Sequence, residues 1–286
     1  MDQSRYVGGW TRRLARVLRM PHDAWQRGKA AWIRHHIRVN PQAVFILGNQ
    51  KSGTTAIAAL LAKATGKSIT LDIFYNLPAR IEMALLTGEL PLSRFVAENP
   101  QYFATDLVKE PGLTFVYEPL STHFPQARSV LCLRDPRDNI RSMLNRVNLP
   151  GRLDRLTPEH WQAVPNLLWK HILEGRLFGC DGVNYIDTLA RRWNRALAVY
   201  ERHHDRVILA RYEDFVVDKT GFIASLARRL GMESRHDISA HVDVQYQPRG
   251  DHTVTWEEFF GPANLQIIER TCAEGMRAHG YAPVTE

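Results

Sequence analysis

The chain is short of several things at once. Its 286 residues hold no apolar run near the roughly 20 residues that a membrane-spanning helix needs. The N-terminus lacks the apolar core of a signal peptide. Cysteine is scarce: Cys132, Cys180 and Cys272 have neither metal-ligand spacing nor an even count. This argues against a disulfide framework and for a reducing compartment, so the cytoplasm is the expected location. Cys132 lies inside an apolar stretch and reads as core. Excess charge is missing from most of the chain. The net +7 arises within residues 1–40, where nine Lys and Arg face two Asp; beyond residue 40 the two signs balance at 28 each. No recognition motif accompanies the basic segment, so nucleic acid is not an expected partner.

What is present starts with that segment. Residues 1–40 read as two basic amphipathic helices broken at Pro21. Trp10, Leu14, Val17 and Leu18 share one face of the first; Trp25, Trp32, Ile33 and Ile37 give the second a looser one. Two readings stand open. The helices suit an anionic membrane surface, which would make the protein peripheral at the inner membrane face. Alternatively, their apolar faces pack on the domain or on a second subunit in a homodimer. Residues 41–286 follow as one expected domain, and a hydrophobic content of 44% is ample for its core.

Residues 43–55, AVFILGNQKSGTT, organise that domain. Five apolar residues closed by Gly48 read as a fully buried strand. Gly48-Asn49-Gln50-Lys51-Ser52-Gly53 form a polar loop, and Thr54-Thr55 lead into AIAALLAKA, rich in helix formers. Strand, tight loop and helix together aim free N–H groups and a positive helix end at an anion. Lys51 adds a full charge, with the hydroxyls of Ser52, Thr54 and Thr55 as further donors. Gly48 and Gly53 are spaced as in a Walker A loop, but the lysine precedes the second glycine by two residues instead of following it.

Further short strands are expected over residues 68–75, at Leu107-Val108, over 129–133 and over 206–210. Asp72 is the one charged residue in the first of these and is either a general base or a surface carboxylate. Lys109, at a strand end, either reaches a bound anion or is simply solvated. Pro111 implies that Glu110 is extended. Arg134 stands where strand 129–133 ends, Pro136 can open a helix, and Ser142 falls two turns along it. An arginine fork there suits a phosphate, although a plain capped junction would read the same way.

Two of these segments carry a resemblance to a known family. Lys51-Ser-Gly-Thr-Thr is similar to the 5′-phosphosulfate loop of sulfotransferases that use 3′-phosphoadenosine 5′-phosphosulfate (PAPS). Arg134-Asp-Pro-Arg-Asp followed by Ser142 resembles their 3′-phosphate motif, and the two occur in family order. The resemblance spans about residues 43–281 and implies an α/β fold, a P-loop-like three-layer sandwich with a mainly parallel central sheet flanked by helices. Residues 1–40 would be a basic helical extension outside it. The donor would be held by Gln50, Lys51, Ser52, Gly53, Thr54, Thr55, Arg134 and Ser142. Tyr212, in Tyr212-Glu213-Asp214, inherits a nucleotide contact. Arg249-Gly250, with Trp256 seven residues after Arg249, partly matches the loop over the 3′-phosphate but lacks its middle lysine.

The resemblance implies sulfuryl transfer from PAPS to a hydroxyl or amine acceptor, with 3′-phosphoadenosine 5′-phosphate (PAP) released and no metal demanded. Lys51 would stabilise the leaving oxygen. Lys109-Glu110-Pro111 is similar to the Lys-x-Pro of the carbohydrate and tyrosylprotein branch, whose base is a carboxylate about twenty residues after the loop's basic residue. Asp72, 21 positions after Lys51, matches that place; Lys109 would touch the sulfuryl group, with Glu110 and His123 as reserve bases. Ala56 stands where the cytosolic small-molecule branch has a tryptophan that stacks on adenine. The rivals are a P-loop kinase or ATPase, and a non-catalytic peripheral membrane protein with a nucleotide fold.

Overall fold

The computed structural model describes residues 32–33, 35–244 and 253–284. Nearly all of residues 1–40, with the expected pair of amphipathic helices, thus falls outside the described residues, as do Arg249 and Gly250. Five strands form one sheet in the order β2-β3-β1-β4-β5: β1 (Val44–Gly48), β2 (Ile69–Leu71), β3 (Leu107–Lys109), β4 (Arg128–Leu133) and β5 (Val207–Arg211). Every pairing is parallel.

A parallel sheet has helices on both faces, and its strands read accordingly as apolar runs instead of alternating ones. In β1 all five residues are buried. Val44 and Ile46 point to one layer with Ile57, Leu61, Ile223 and Leu226, from α1 (Thr54–Thr65) and a later helix, Lys219–Arg229. Phe45 and Leu47 point to the other, where Phe95, Phe103, Phe124 and Leu131 meet them. Burial of each such side chain contributes roughly 1.5–3 kcal/mol. Behind that second face, α5 (Pro136–Arg146), α8 (Tyr185–Arg202) and α11 (Trp256–Ala278) share a core around Trp193, Ile140 and Ile268. The remaining helices are α2 (Ala79–Thr87), α3 (Leu92–Glu98), α4 (Tyr117–His123), α6 (Pro158–Ala163), α7 (Leu167–Glu174), α9 (Tyr212–Val217) and α10 (Lys219–Arg229).

One expected element is shorter than its sequence suggests. Residues 68–75 give a strand of only three residues, after which Asp72 turns left-handed at φ 52° and Ile73–Asn76 form a 3-10 turn. The β-branched and aromatic side chains that suggested strand serve the core instead, with Ile73 and Phe74 buried. The closing helix also starts earlier than expected, at Trp256, and bends where Gly261 takes φ 69° just before Pro262.

The strand order turns about β1, which pairs with β3 on one side and β4 on the other. Beyond the carboxyl end of such a strand lies the crevice where open α/β sheets bind ligands.

Candidate active site

The ends of β1, β3, β4 and β5 supply Gly48-Asn49, Lys109, Arg134 and Tyr212 to one crevice. The loop after β1 owes its shape to three backbone features. Gly48 has φ 141°, and a Cβ there would lie 2.5 Å from the Cys132 carbonyl oxygen, so only glycine fits beside β4. Its N–H donates to Thr114 Oγ1 at 2.9 Å. Lys51 is left-handed at φ 69°, a conformation that costs energy in a non-glycine residue. Gly53 is left-handed at φ 86° and opens α1 without a side-chain cap. A Cβ on Gly53 would stand 2.3 Å from the Tyr212 ring, so the ring packs directly against the loop. An uncapped helix start leaves backbone N–H groups for an anion.

The second cradle adjoins the first. Asp135 caps α5 by accepting from the Arg137 N–H at 2.9 Å, and Pro136 occupies the first helical position. Arg134, just before this cap, is buried and donates through Nη1 to the Lys51 carbonyl at 3.3 Å. Its guanidinium lies over the Tyr212 ring, 4.7 Å from the centroid. Its Nε has no partner among the described residues, a buried donor that an anion would satisfy. Ser142 is buried two turns along the same helix. Trp193 fixes the strand end by donating to the Arg134 carbonyl at 2.8 Å. Glu213 accepts from the Asp135 N–H at 2.9 Å and from the Tyr281 hydroxyl at 2.8 Å, tying the ends of β4 and β5 together.

Trp256, the tryptophan singled out after Arg249, donates to Asp138 Oδ1 at 2.9 Å and lies under the Arg137 guanidinium. Arg141 donates to the Val254 carbonyl at 2.8 Å. The segment leading into α11 therefore docks on the helix that bears Ser142.

Around the loop the charge is mostly positive. Burial, followed by the charges of Arg146, Arg134 and Lys109, lowers the Lys51 pKa to about 8. Lys109 is not solvated: it is 2% exposed and pairs with the carboxylate of Asp72, which is 44% exposed at the end of β2. Glu110 is placed differently. It is extended, as Pro111 implied, but both its oxygens serve backbone donors, from Phe74 N at 3.0 Å and Gly112 N at 2.9 Å. That use explains its burial without a base role, and burial raises its pKa. His123 is not brought to the site. It is exposed at the end of α4 against Phe124, which packs with Phe45 at the amino end of β1.

Two further residues build the loop from beneath. Asn139 donates to the Gln50 carbonyl at 2.8 Å and to Ser52 Oγ at 3.0 Å, and accepts from Asn49 Nδ2 at 3.0 Å. Arg192, 1% exposed, reaches the loop from α8. Its Nε donates to Asn49 Oδ1 at 3.1 Å and its Nη2 to Gln50 Oε1 at 2.8 Å. It is stacked between Phe115 and Phe178, 3.8 and 3.9 Å from their centroids; desolvated contacts of this kind contribute about 2 kcal/mol. Asn139 could have been noticed from its place directly after the Arg-Asp-Pro-Arg-Asp run. Arg192 carries no local signal.

The strand–loop–helix arrangement after β1, with a basic strand end beside it at β4, defines a P-loop-like α/β protein. The model of the sulfotransferase domain family matches residues 41–259, and the chain belongs to that family. Among solved structures, sulfotransferase STF9 from Mycobacterium avium is similar at 14% identity and a TM-score of 0.52, over 87% of this chain and 80% of that one. Mouse sulfotransferase SULT7A1, crystallised with PAP, is similar at 16% identity and a TM-score of 0.50, over 86% and 88%. At these identities the likeness concerns the fold. No protein of curated function matches the chain in sequence.

Proposed function

We propose that this sulfotransferase takes its sulfuryl group from PAPS, passes it to a hydroxyl or amine by in-line displacement, and releases PAP. The observation that carries the reading is the 3.3 Å contact from Arg134 to the Lys51 carbonyl, which puts the two cradles side by side. A ligand with a phosphate at each end of one adenosine needs that adjacency. The loop N–H groups from Ser52 to Thr55 would take the 5′-phosphate. Arg134, through its partnerless Nε, and Ser142 would take the 3′-phosphate. Tyr212 would meet the nucleotide beside them, with Arg249-Gly250 as a further 3′-phosphate contact.

In the reaction the acceptor oxygen or nitrogen attacks sulfur and the bond from sulfur to the 5′-phosphate oxygen breaks. Charge develops on that oxygen. Lys51 stabilises it, as preorganised charge in a partly dry site is suited to do. The acceptor's proton goes to Asp72, which Lys109 orients through their ion pair. Asp72 is preferred to Glu110 because its carboxylate is half-open to solvent while Glu110 is closed by two backbone bonds. Proximity and electrostatics supply most of the rate, as in phosphoryl transfer.

The test is a titration of the full chain with PAP and with ATP, each with and without Mg²⁺. PAP binding in the low micromolar range, indifferent to Mg²⁺ and tighter than ATP, is expected. Magnesium-dependent ATP binding would replace this reading with a kinase or ATPase. The excess of nine basic over two acidic residues in 1–40 further supports peripheral membrane attachment. Removing those residues should abolish co-sedimentation with anionic vesicles; unchanged sedimentation would refute attachment.

A further inference from the structure

A phosphate loop must keep its shape without a phosphate in it, and here the loop includes a non-glycine residue, Lys51, with positive φ. Something outside the loop has to hold it. Asn49 Oδ1 accepts the Gln50 N–H at 3.1 Å, a small turn closed by the loop's own side chain. The same oxygen accepts Nε of Arg192, and the neighbouring Nη2 holds the Gln50 side chain. One planar guanidinium thus grips two successive residues, 142 positions or more away in sequence, immediately before Lys51. Phe115 and Phe178 clamp its faces and Nη1 has no hydrogen-bond partner among the described residues. A fully buried cation is costly to keep unless it has a task. Its direction is set by two aromatic planes and its two bonds both end on the loop.

We propose that Arg192 is a positioning residue for the donor: it holds Asn49 and Gln50 so that the loop is already in its 5′-phosphate-binding shape before the nucleotide arrives. The assignment rests on the reading of the crevice as a PAPS site and adds to it a residue that touches neither phosphate. A lysine cannot take its place, because an ammonium lacks the fork that reaches two acceptors and the flat faces that fit between two rings. Preorganisation of this kind acts on affinity at the end of the ligand it serves.

The experiment uses full-length wild type, Arg192→Met and Arg192→Lys. Methionine keeps an unbranched apolar stem between the rings and removes the donors. Binding of PAP, adenosine 5′-monophosphate and adenosine 3′-monophosphate is measured by calorimetry, with thermal unfolding in parallel. In Arg192→Met, PAP should weaken at least tenfold and the 5′-monophosphate by a similar factor, while the 3′-monophosphate stays within twofold. Equal losses for all three nucleotides would mean a merely structural role and overturn the proposal, as would PAP affinity within twofold of wild type. If Arg192→Met does not fold, Arg192→Lys decides: a several-fold loss confined to PAP and the 5′-monophosphate supports the fork, and wild-type affinity overturns it. Failure of the wild type itself to bind PAP would instead bring down the donor reading, and this proposal with it.

Discussion

Lys51 combines a strained backbone, partial burial and three neighbouring cations, and each has a chemical consequence. Burial and like charges favour its neutral form, and the pKa falls to about 8. The ammonium is the form that can stabilise a leaving oxygen, so under the role proposed for Lys51 activity should be lost as pH rises through that value. Turnover at low PAPS should fall about tenfold per pH unit above roughly pH 8. At saturating PAPS the break should move to higher pH, because the bound anion favours the ammonium; a pH–rate series at two PAPS concentrations checks this. Lys51→Met should cost about 10²–10³-fold in kcat. Asp72→Asn should cost about 10²–10⁴-fold in kcat with PAP affinity unchanged, and near-normal turnover by this variant would remove Asp72 from the chemistry.

At the scale of elements, the junction of β1 with β4 depends on a missing side chain. Gly48→Ala would drive a methyl group onto the Cys132 carbonyl, backbone that cannot yield without breaking the pairing. A loss on the order of 1–3 kcal/mol is expected, read as a Tm lower by several degrees. Helix α2 places a second constraint. Its Glu82 is buried beside Glu110, and burial, reinforced by the Glu110 charge and opposed by Arg192, raises its pKa to about 8. A carboxyl that holds its proton more tightly when folded stabilises fully below its ordinary value of 4.5, and that contribution is lost as pH rises through about 8. Tm should therefore decline over that interval, and Glu82→Gln should flatten the decline. An identical slope in wild type and Glu82→Gln would show that the proton is carried elsewhere.

For the molecule as a whole, the proposed donor site lies where four strand ends and two helix starts converge, so ligand binding there would be linked to folding. PAP at one hundred times its Kd should stabilise the chain by about 2.7 kcal/mol. Arg134→Ala should cost PAP more of that gain than adenosine 5′-monophosphate, because in the proposed reading the arginine binds the 3′-phosphate directly and touches the 5′ loop only through the Lys51 carbonyl. Differential scanning calorimetry with each nucleotide distinguishes the two. Equal losses for both ligands would mean that Arg134 supports the β4–α5 junction rather than the phosphate.

Local sequence was enough for most of the strands and for the glycine-bearing loop between β1 and α1. Buried parallel strands need unbroken apolar runs and a strand-to-helix turn needs glycine at left-handed positions, all within a dozen residues. Local sequence misjudged residues 68–75, because β-branched and aromatic residues fill a core as readily as they extend a strand. It left open whether Lys109 was solvated and whether the Glu110 carboxylate was already engaged. Those answers depend on which side chains the folded backbone brings within hydrogen-bond reach: Asp72 for Lys109, the Phe74 and Gly112 amides for Glu110. Arg192 is the extreme case. Nothing adjacent to it in the chain marks it, and only the packing of α8 against the sheet carries its charge beneath a loop more than 140 residues away.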